Sequence, residues 1–189
     1  MPDLDGQPVF TKPGLTSLAV ADFDRDGYRD GIATGWSSDV LIHWRGQEEG
    51  YFGEPLILDA PGGPRDIVLV DMDDDGDLDV VITQINRPPL ILRNDQQLGH
   101  HWLRVRVGGH AGNRDAIGAR LQLFVGQRVL ERTVMPTRSY LTQVELPVTF
   151  GLAEQTRVER LLVTWPDGES VELTDLPADQ VIDVAYPSE

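Results

Sequence analysis

The sequence predicts an all-β protein, built as two repeated hairpin units followed by a β-sandwich. Three observations carry this reading. One acidic pattern occurs twice, each time between strand-like runs: Asp22-Phe-Asp24-Arg-Asp26-Gly27-Tyr-Arg-Asp30 and Asp71-Met-Asp73-Asp-Asp75-Gly76-Asp-Leu-Asp79. From residue 101 onward, short runs of alternating apolar and polar residues are separated by turn signals, the mark of half-buried strands. No stretch of the chain repeats its apolar residues with the helical period.

Taken in order, residues 1–15 hold three prolines together with Gly6 and Gly14 and read as a leading arm. The first unit places strands at 16–21, 29–34, 40–45 and 54–58. Leu18 and Val20 alternate with Ala19 and Ala21 ahead of the acidic turn, and Gly46-Gln-Glu-Glu-Gly50 punctuates the third and fourth strands. The second unit places strands at 66–70, 79–83 and 90–93, from the β-branched runs Ile67-Val-Leu-Val70 and Val80-Val-Ile-Thr83. Only about fifteen residues separate Asp79 from Asn94, so its fourth strand is missing or borrowed.

The repeat is in register: the offset is 71 − 22 = 49 residues, and Asp22, Asp24, Asp26, Gly27 and Asp30 map onto Asp71, Asp73, Asp75, Gly76 and Asp79. Carboxylates at alternate positions of a tight loop, with glycine permitting the sharp turn, form an oxygen cage for a hard cation, and Ca²⁺ takes six to eight oxygens. Without a cation the loop is costly, since two carboxylates ~4 Å apart repel by roughly 4 kcal/mol at an effective dielectric of 20. An EF-hand would need a bidentate Glu at position 12 and flanking helices. Position 12 is Ala33 in one copy and Ile82 in the other, so these are loops of β-hairpins.

The second half reads as strands at 101–107, 119–125, 129–135, 141–146, 157–165, 169–173 and 180–186. In His101-Trp-Leu-Arg-Val-Arg-Val107 the residues Leu103, Val105 and Val107 share one face, and Trp165-Pro-Asp-Gly-Glu169 has the Asp-Gly tip of a hairpin. Many short strands with regular turns predict a sandwich.

At this point the residues carry two resemblances. The D-x-D-x-D-G-x-x-D hairpin loop, with Phe52-Gly53 and Pro55 downstream of the first copy, resembles the FG-GAP (VCBS-type) repeat, the calcium-binding blade unit of integrin-α-like β-propellers. The resemblance implies two Ca²⁺ ions. The first would be held by Asp22, Asp24, Asp26, Asp30 and the Tyr28 carbonyl, the second by Asp71, Asp73, Asp75, Asp79 and the Asp77 carbonyl, with Asp74 and the Asp77 side chain as surface acids. The segments GHHWLRVRV, NRDAIGARLQL, SYLTQ, FGL, VERLLVTWPDGESVEL and LPADQV are similar, in one ordered series over about residues 99–184, to the ASPIC/UnbV domain that follows FG-GAP repeats in cartilage acidic protein homologues. The fold class expected is therefore two FG-GAP propeller-type blades followed by a β-sandwich. The division is an arm at 1–15, repeats at 16–95 and the ASPIC/UnbV domain at 96–189.

Composition narrows the function. The net charge is −15 and uneven: residues 1–95 carry 19 acids and 7 bases (net −12), while residues 96–189 carry 12 and 9 (net −3). Such a surface repels nucleic acid and anionic membranes. No apolar run reaches transmembrane length, and the absence of cysteine removes disulfides, thiolate zinc sites and cysteine nucleophiles. His43, His100, His101 and His110 form no recognisable catalytic or metal motif. His100 and His101, being adjacent, point to opposite faces of a strand.

The expected function is a secreted calcium-binding recognition or adhesion module, extracellular or periplasmic because millimolar Ca²⁺ lies mainly outside cells, with a protein or glycan partner. The alternative is an enzyme or accessory factor of natural-product biosynthesis, with Arg114, Asp115, Arg138 and Tyr140 as a ligand surface in the sandwich loops. Two blades leave one face open, to be covered by residues 1–15, by further blades or by a second copy in a homo-oligomer. A rigid weld is expected at 94–101, with residues 101–107 pairing against 90–93.

Overall fold

The computed structural model of the chain describes residues 14–73, 75–137 and 143–187. Among these, every regular element is a strand apart from two single 3₁₀ turns, and no helix is long and apolar enough to cross a membrane. The first sheet follows the chain: β1 (Leu15–Ala21), β2 (Asp30–Gly35), β3 (Val40–Trp44) and β4 (Leu56–Asp59), all antiparallel in the order β1-β2-β3-β4. Opposed residues of neighbouring strands share a face. The face bearing Ala19, Ala21, Ile32 and Leu41 packs on Ile67, Leu69, Val80 and Ile82 of the second sheet in one core. The other face carries the row Leu18–Ala33–Ile42–Ile57, with Leu15, Leu18 and Ile57 still exposed. Of residues 1–15, one of the three expected covers of an open face, 1–13 lie outside the described residues and Leu15 opens β1.

The second sheet contains β5 (Pro64–Val70), β6 (Asp79–Gln84) and β7 (Leu90–Leu92). Its fourth strand is borrowed from the far half of the chain: β11 (Gln143–Val144) pairs parallel with β5, Gln143 opposite Val68 and Val144 opposite Leu69. This corrects the expected pairing of residues 101–107 with 90–93. β8 (His101–Val107) is taken on both edges by the sandwich, antiparallel by β12 (Val148–Ala153) and parallel by β15 (Gln180–Val184). With Leu103 and Val105 fully buried in the sandwich core, pairing against β7 would withdraw them from it.

Facing this three-stranded sheet is the order β10-β9-β13-β14, made of β9 (Arg120–Val125), β10 (Arg128–Thr133), β13 (Arg157–Thr164) and β14 (Ser170–Pro177). Leu121, Leu123, Val158, Leu161 and Val163 from one sheet meet Leu103, Val105, Val148, Phe150 and Leu152 from the other. At the β13–β14 tip Trp165 and Glu169 close the predicted hairpin, with Trp165 N donating to the Glu169 carbonyl (2.9 Å) and Gly168 at φ +97°. Among the described residues of the expected strand at 141–146, β11 is the part that forms, residues 141–142 lying outside them, and β12, which the sequence reading missed, begins after Pro147. Proline cannot continue a ladder, and Gly151 dilutes the alternation that would mark the strand.

The weld between the halves is a buried polar contact. The inner residues of β8 fill the sandwich, so by alternation Trp102 and Arg104 face the second sheet. Arg104, 4% exposed, donates through Nη1 to Asp71 Oδ2 (3.0 Å) and Thr149 Oγ1 (3.2 Å), and through Nη2 to Glu145 Oε2. Burial nevertheless holds the Glu145 carboxyl above its ordinary range, with Arg104 opposing.

Three outcomes are expected from this architecture. Phe150→Ala empties the sandwich core and lowers unfolding free energy by roughly 3–5 kcal/mol. Because β11 ties the halves, denaturant unfolding followed by tryptophan fluorescence and by circular dichroism gives coincident single transitions; two separated transitions would contradict the weld. Arg104→Met leaves Asp71 and Glu145 without their shared guanidinium and costs a further ~3–5 kcal/mol on the same assay.

Candidate metal centres

The first acidic turn runs from the end of β1 to the start of β2. One carboxylate oxygen each from Asp22, Asp24 and Asp26 lies within 4.8 Å of the others. The sequence folds the loop this way through its own short-range bonds. Asp24 Oδ1 accepts from Asp26 N (3.2 Å), Asp26 Oδ1 from Tyr28 N (2.7 Å) and Asp22 Oδ2 from Gly27 N (3.1 Å). Aspartate favours such local turns, and Gly27 takes the left-handed conformation they require at φ +92°. Asp30, fully buried, accepts at Oδ2 from Phe23 N (2.7 Å) and at Oδ1 from Gly46 N (2.6 Å). It cinches the base of the loop and stands outside the convergent trio.

The second turn repeats this wiring. Asp71, Asp73 and Asp75 converge to within 4.8 Å. Gly76 N donates to Asp71 Oδ2 (3.1 Å) and Asp77 N to Asp75 Oδ1 (2.8 Å). Asp79 takes the place of Asp30, accepting from Met72 N (2.9 Å) and Asn94 N (2.8 Å). Asp77 is not the surface acid expected of it. It is 2% exposed, accepting from Gln96 Nε2 (2.6 Å) and paired with Arg25 Nε (2.6 Å). Asp74 lies outside the described residues.

Electrostatically both loops are crowded. Burial pushes the Asp22 carboxyl up to about 7, against the pull of Arg132 and with Asp26, Asp30 and Asp24 adding repulsion. Burial likewise raises Asp26 and Asp30, and lifts Asp77 to about 6 against Gln96 and Arg25. Asp22 Oδ1 is wholly buried and has no hydrogen-bond donor, which is what a cation-binding oxygen needs. Hard, anionic oxygens on a preformed turn fit a cation such as Ca²⁺. Arg45 bonds Asp24 Oδ2 and Arg93 bonds Asp73 Oδ2, both at 2.7 Å. These two arginine side chains are 59% and 61% exposed, so moving them aside costs about 1 kcal/mol or less.

The structure also brings in residues that the sequence reading missed. Gly151 N of β12 donates to Asp22 Oδ2 (3.2 Å), Ala153 N to the Arg25 carbonyl (2.9 Å), Arg128 Nη1 to the Asp26 carbonyl (2.9 Å) and His100 Nδ1 to the Asp24 carbonyl (2.6 Å). Asn94 Nδ2 and Gln96 Nε2 both reach the Phe23 carbonyl, at 2.9 and 2.6 Å. The acidic loops are thus the joint between the halves, and residues 94–101 are pinned to them. Strict alternation in β8 placed Trp102 and Arg104 away from the sandwich core and was the available signal.

Of the other sequence candidates, Arg114 and Asp115 lie exposed between β8 and β9, and no ion pair joins them. Arg138 and Tyr140 lie outside the described residues. The neighbouring Asn113 is structural, exchanging two hydrogen bonds with the Ile117 backbone. His43 sits in β3 edge-on to Phe23. His101 turns away from His100 to bond Asp179 Oδ2 (2.6 Å).

The FG-GAP-like repeat family matches residues 22–82 and the ASPIC and UnbV family matches residues 109–189. Cartilage acidic protein 1 of Mus musculus is 28% identical over 96% of the chain and 30% of its own length. The Homo sapiens protein of that name is 29% identical over 95% of the chain and 30% of its length. That of Xenopus tropicalis is 30% identical over 64% of the chain and 19% of its length. The chain spans less than a third of the length of these curated relatives. Segments of the chain thus match the FG-GAP-like repeat and the ASPIC and UnbV families, and the chain is similar to cartilage acidic protein 1 along nearly all of its sequence.

Proposed function

We propose that this chain is an extracellular calcium-binding recognition or adhesion module, in which two Ca²⁺ ions fix the loops that join a repeat region (16–95) to a sandwich (96–189). The observation that carries the reading is the twice-repeated convergence of three carboxylates on one loop design, with a buried, donor-less Asp22 oxygen in the first copy. Asp22, Asp24 and Asp26 hold the first ion and Asp71, Asp73 and Asp75 the second. The Tyr28 and Asp77 carbonyls complete the cages, and Asp30 and Asp79 close them from below. When bound, the cation supplies the positive charge that cancels carboxylate repulsion in each loop. The chain's own part is positioning: the aspartate turns pre-set the oxygens, and the sandwich amides of Gly151 and Ala153 hold the first loop from outside.

Similarity to proteins named for cartilage and a requirement for free Ca²⁺ favour an extracellular setting. The partner is a protein or glycan surface. The exposed Leu15, Leu18 and Ile57 on the outer face of the first sheet support association of two copies there, and light scattering that finds only monomer at high concentration would refute it.

Calorimetric titration is expected to give two equivalents of Ca²⁺ per chain, with Asp24→Ala and Asp73→Ala each removing about one. A stoichiometry near zero would overturn the proposal. Holding Ca²⁺ at 100 times Kd adds roughly 2.7 kcal/mol of stability per site. Excess EGTA therefore lowers the melting temperature by several degrees, and a melting curve indifferent to EGTA would mean that the loops do not bind the ion.

A further inference from the structure

We infer that the two loops bind calcium as a coupled pair, with Arg25 as the residue that couples them; this rests on the calcium reading above. Arg25 lies between Asp24 and Asp26, inside the first loop, yet its side chain belongs to the second. Its Nη2 donates to the Asp75 carbonyl (3.0 Å) and its Nε pairs with Asp77 Oδ1 (2.6 Å). The guanidinium also lies over the Trp102 ring, 5.9 Å from its centroid.

Three features make this a designed link rather than a surface pairing. Arg25 takes φ +60°, a left-handed conformation that side chains other than glycine, asparagine and aspartate rarely adopt. Its carbonyl is fixed by Ala153 N, so the side chain leaves the loop from an anchored backbone and is only 13% exposed. The second loop also has no counterpart of this arginine: residue 25 + 49 = 74, and position 74 is an aspartate. Only the first loop can reach the second in this way.

The sign of the coupling follows from what Arg25 touches. Its charge is matched by Asp77, whose carboxylate is not among the convergent oxygens, and Asp75 Oδ1 is 3.9 Å away. The Arg25–Asp77 pair therefore adds little net charge at the second cage. What remains is order. Filling the first loop fixes the backbone on both sides of Arg25, and Arg25 then holds the Asp75–Asp77 segment, which carries one cage carboxylate and one cage carbonyl. A site whose ordering cost is already met binds more tightly.

The test is a thermodynamic cycle on the full chain with Ca²⁺ as the probe. Asp73→Ala reports the first loop alone and Asp24→Ala the second loop alone. The product of the two stepwise association constants of the unmodified protein is expected to exceed the product of those two single-site constants by at least about fivefold. In the Arg25→Met background the same ratio falls to near one while two equivalents still bind. If Arg25→Met does not fold, as judged by its melting transition, Arg25→Gln, whose shorter neutral side chain cannot serve both the Asp75 carbonyl and the Asp77 carboxylate, is read in the same way. A ratio near one in the unmodified protein overturns the coupling but leaves calcium binding standing. A ratio that survives both substitutions overturns the role of Arg25. No binding at all removes both this inference and the reading beneath it.

Discussion

The structure is governed by the cost of placing acidic hairpin loops at a buried seam. An exposed acidic turn is screened by water and salt, but here Asp71, Asp77, Asp79, Asp24 and Asp30 are all buried, where Coulomb terms are several-fold larger. Each loop answers locally by accepting backbone N–H bonds at its carboxylate oxygens, and Asp30 and Asp79 use both oxygens in this way. The remaining charge is met from farther away, by Arg104 of the sandwich on Asp71 and Glu145 and by Arg25 of the first loop on Asp77 of the second.

That constraint explains the irregular parts of the sandwich. β12 carries a register shift between Gly151 and Ala153 where it runs along β8, and Ala153 has φ +52°. A bulge re-aims backbone groups. Here it turns the Gly151 and Ala153 amides toward Asp22 and Arg25. Gly151 is forced: a Cβ there would stand 2.3 Å from Asp22 Oδ2 and 2.4 Å from the Arg25 carbonyl carbon. Gly76 is placed by the same logic, since a Cβ on it would meet the Trp102 ring at 2.3 Å. Side chains have been removed where loop and sandwich meet, so the approach is by backbone.

How far the sequence could be read follows from the range of each interaction. The strands, the Asp-Gly hairpin and the loop trios rest on contacts between residues close in sequence, and alternation and spacing expose them. Asp30 and Asp79 were legible as members of the loop, but their clamping bonds reach Gly46 and Asn94, which no local pattern links to them. The borrowed strand β11 is two residues long and pairs across more than seventy positions, with too little sequence to announce itself. The burial of Asp77 was hidden for the same reason: its partners Arg25 and Gln96 come from another repeat and from the connector.

The bias of fifteen arginines against the single Lys12 gains a physical meaning at the seam, whatever its genomic origin. Arg104 meets Asp71, Thr149 and Glu145 at once, using two nitrogens of one planar group. A lysine offers one compact ammonium, more strongly hydrated and more costly to bury. The same fork lets Arg25 serve a carbonyl and a carboxylate of the second loop from a fixed backbone. Burying acids between two β-layers therefore selects not merely positive charge but a cation with several directed donors. Where the guanidinium is exposed, as at Arg45 and Arg93, it shields a carboxylate and can leave; where it is buried, as at Arg25 and Arg104, it becomes part of the frame that the loops are built on.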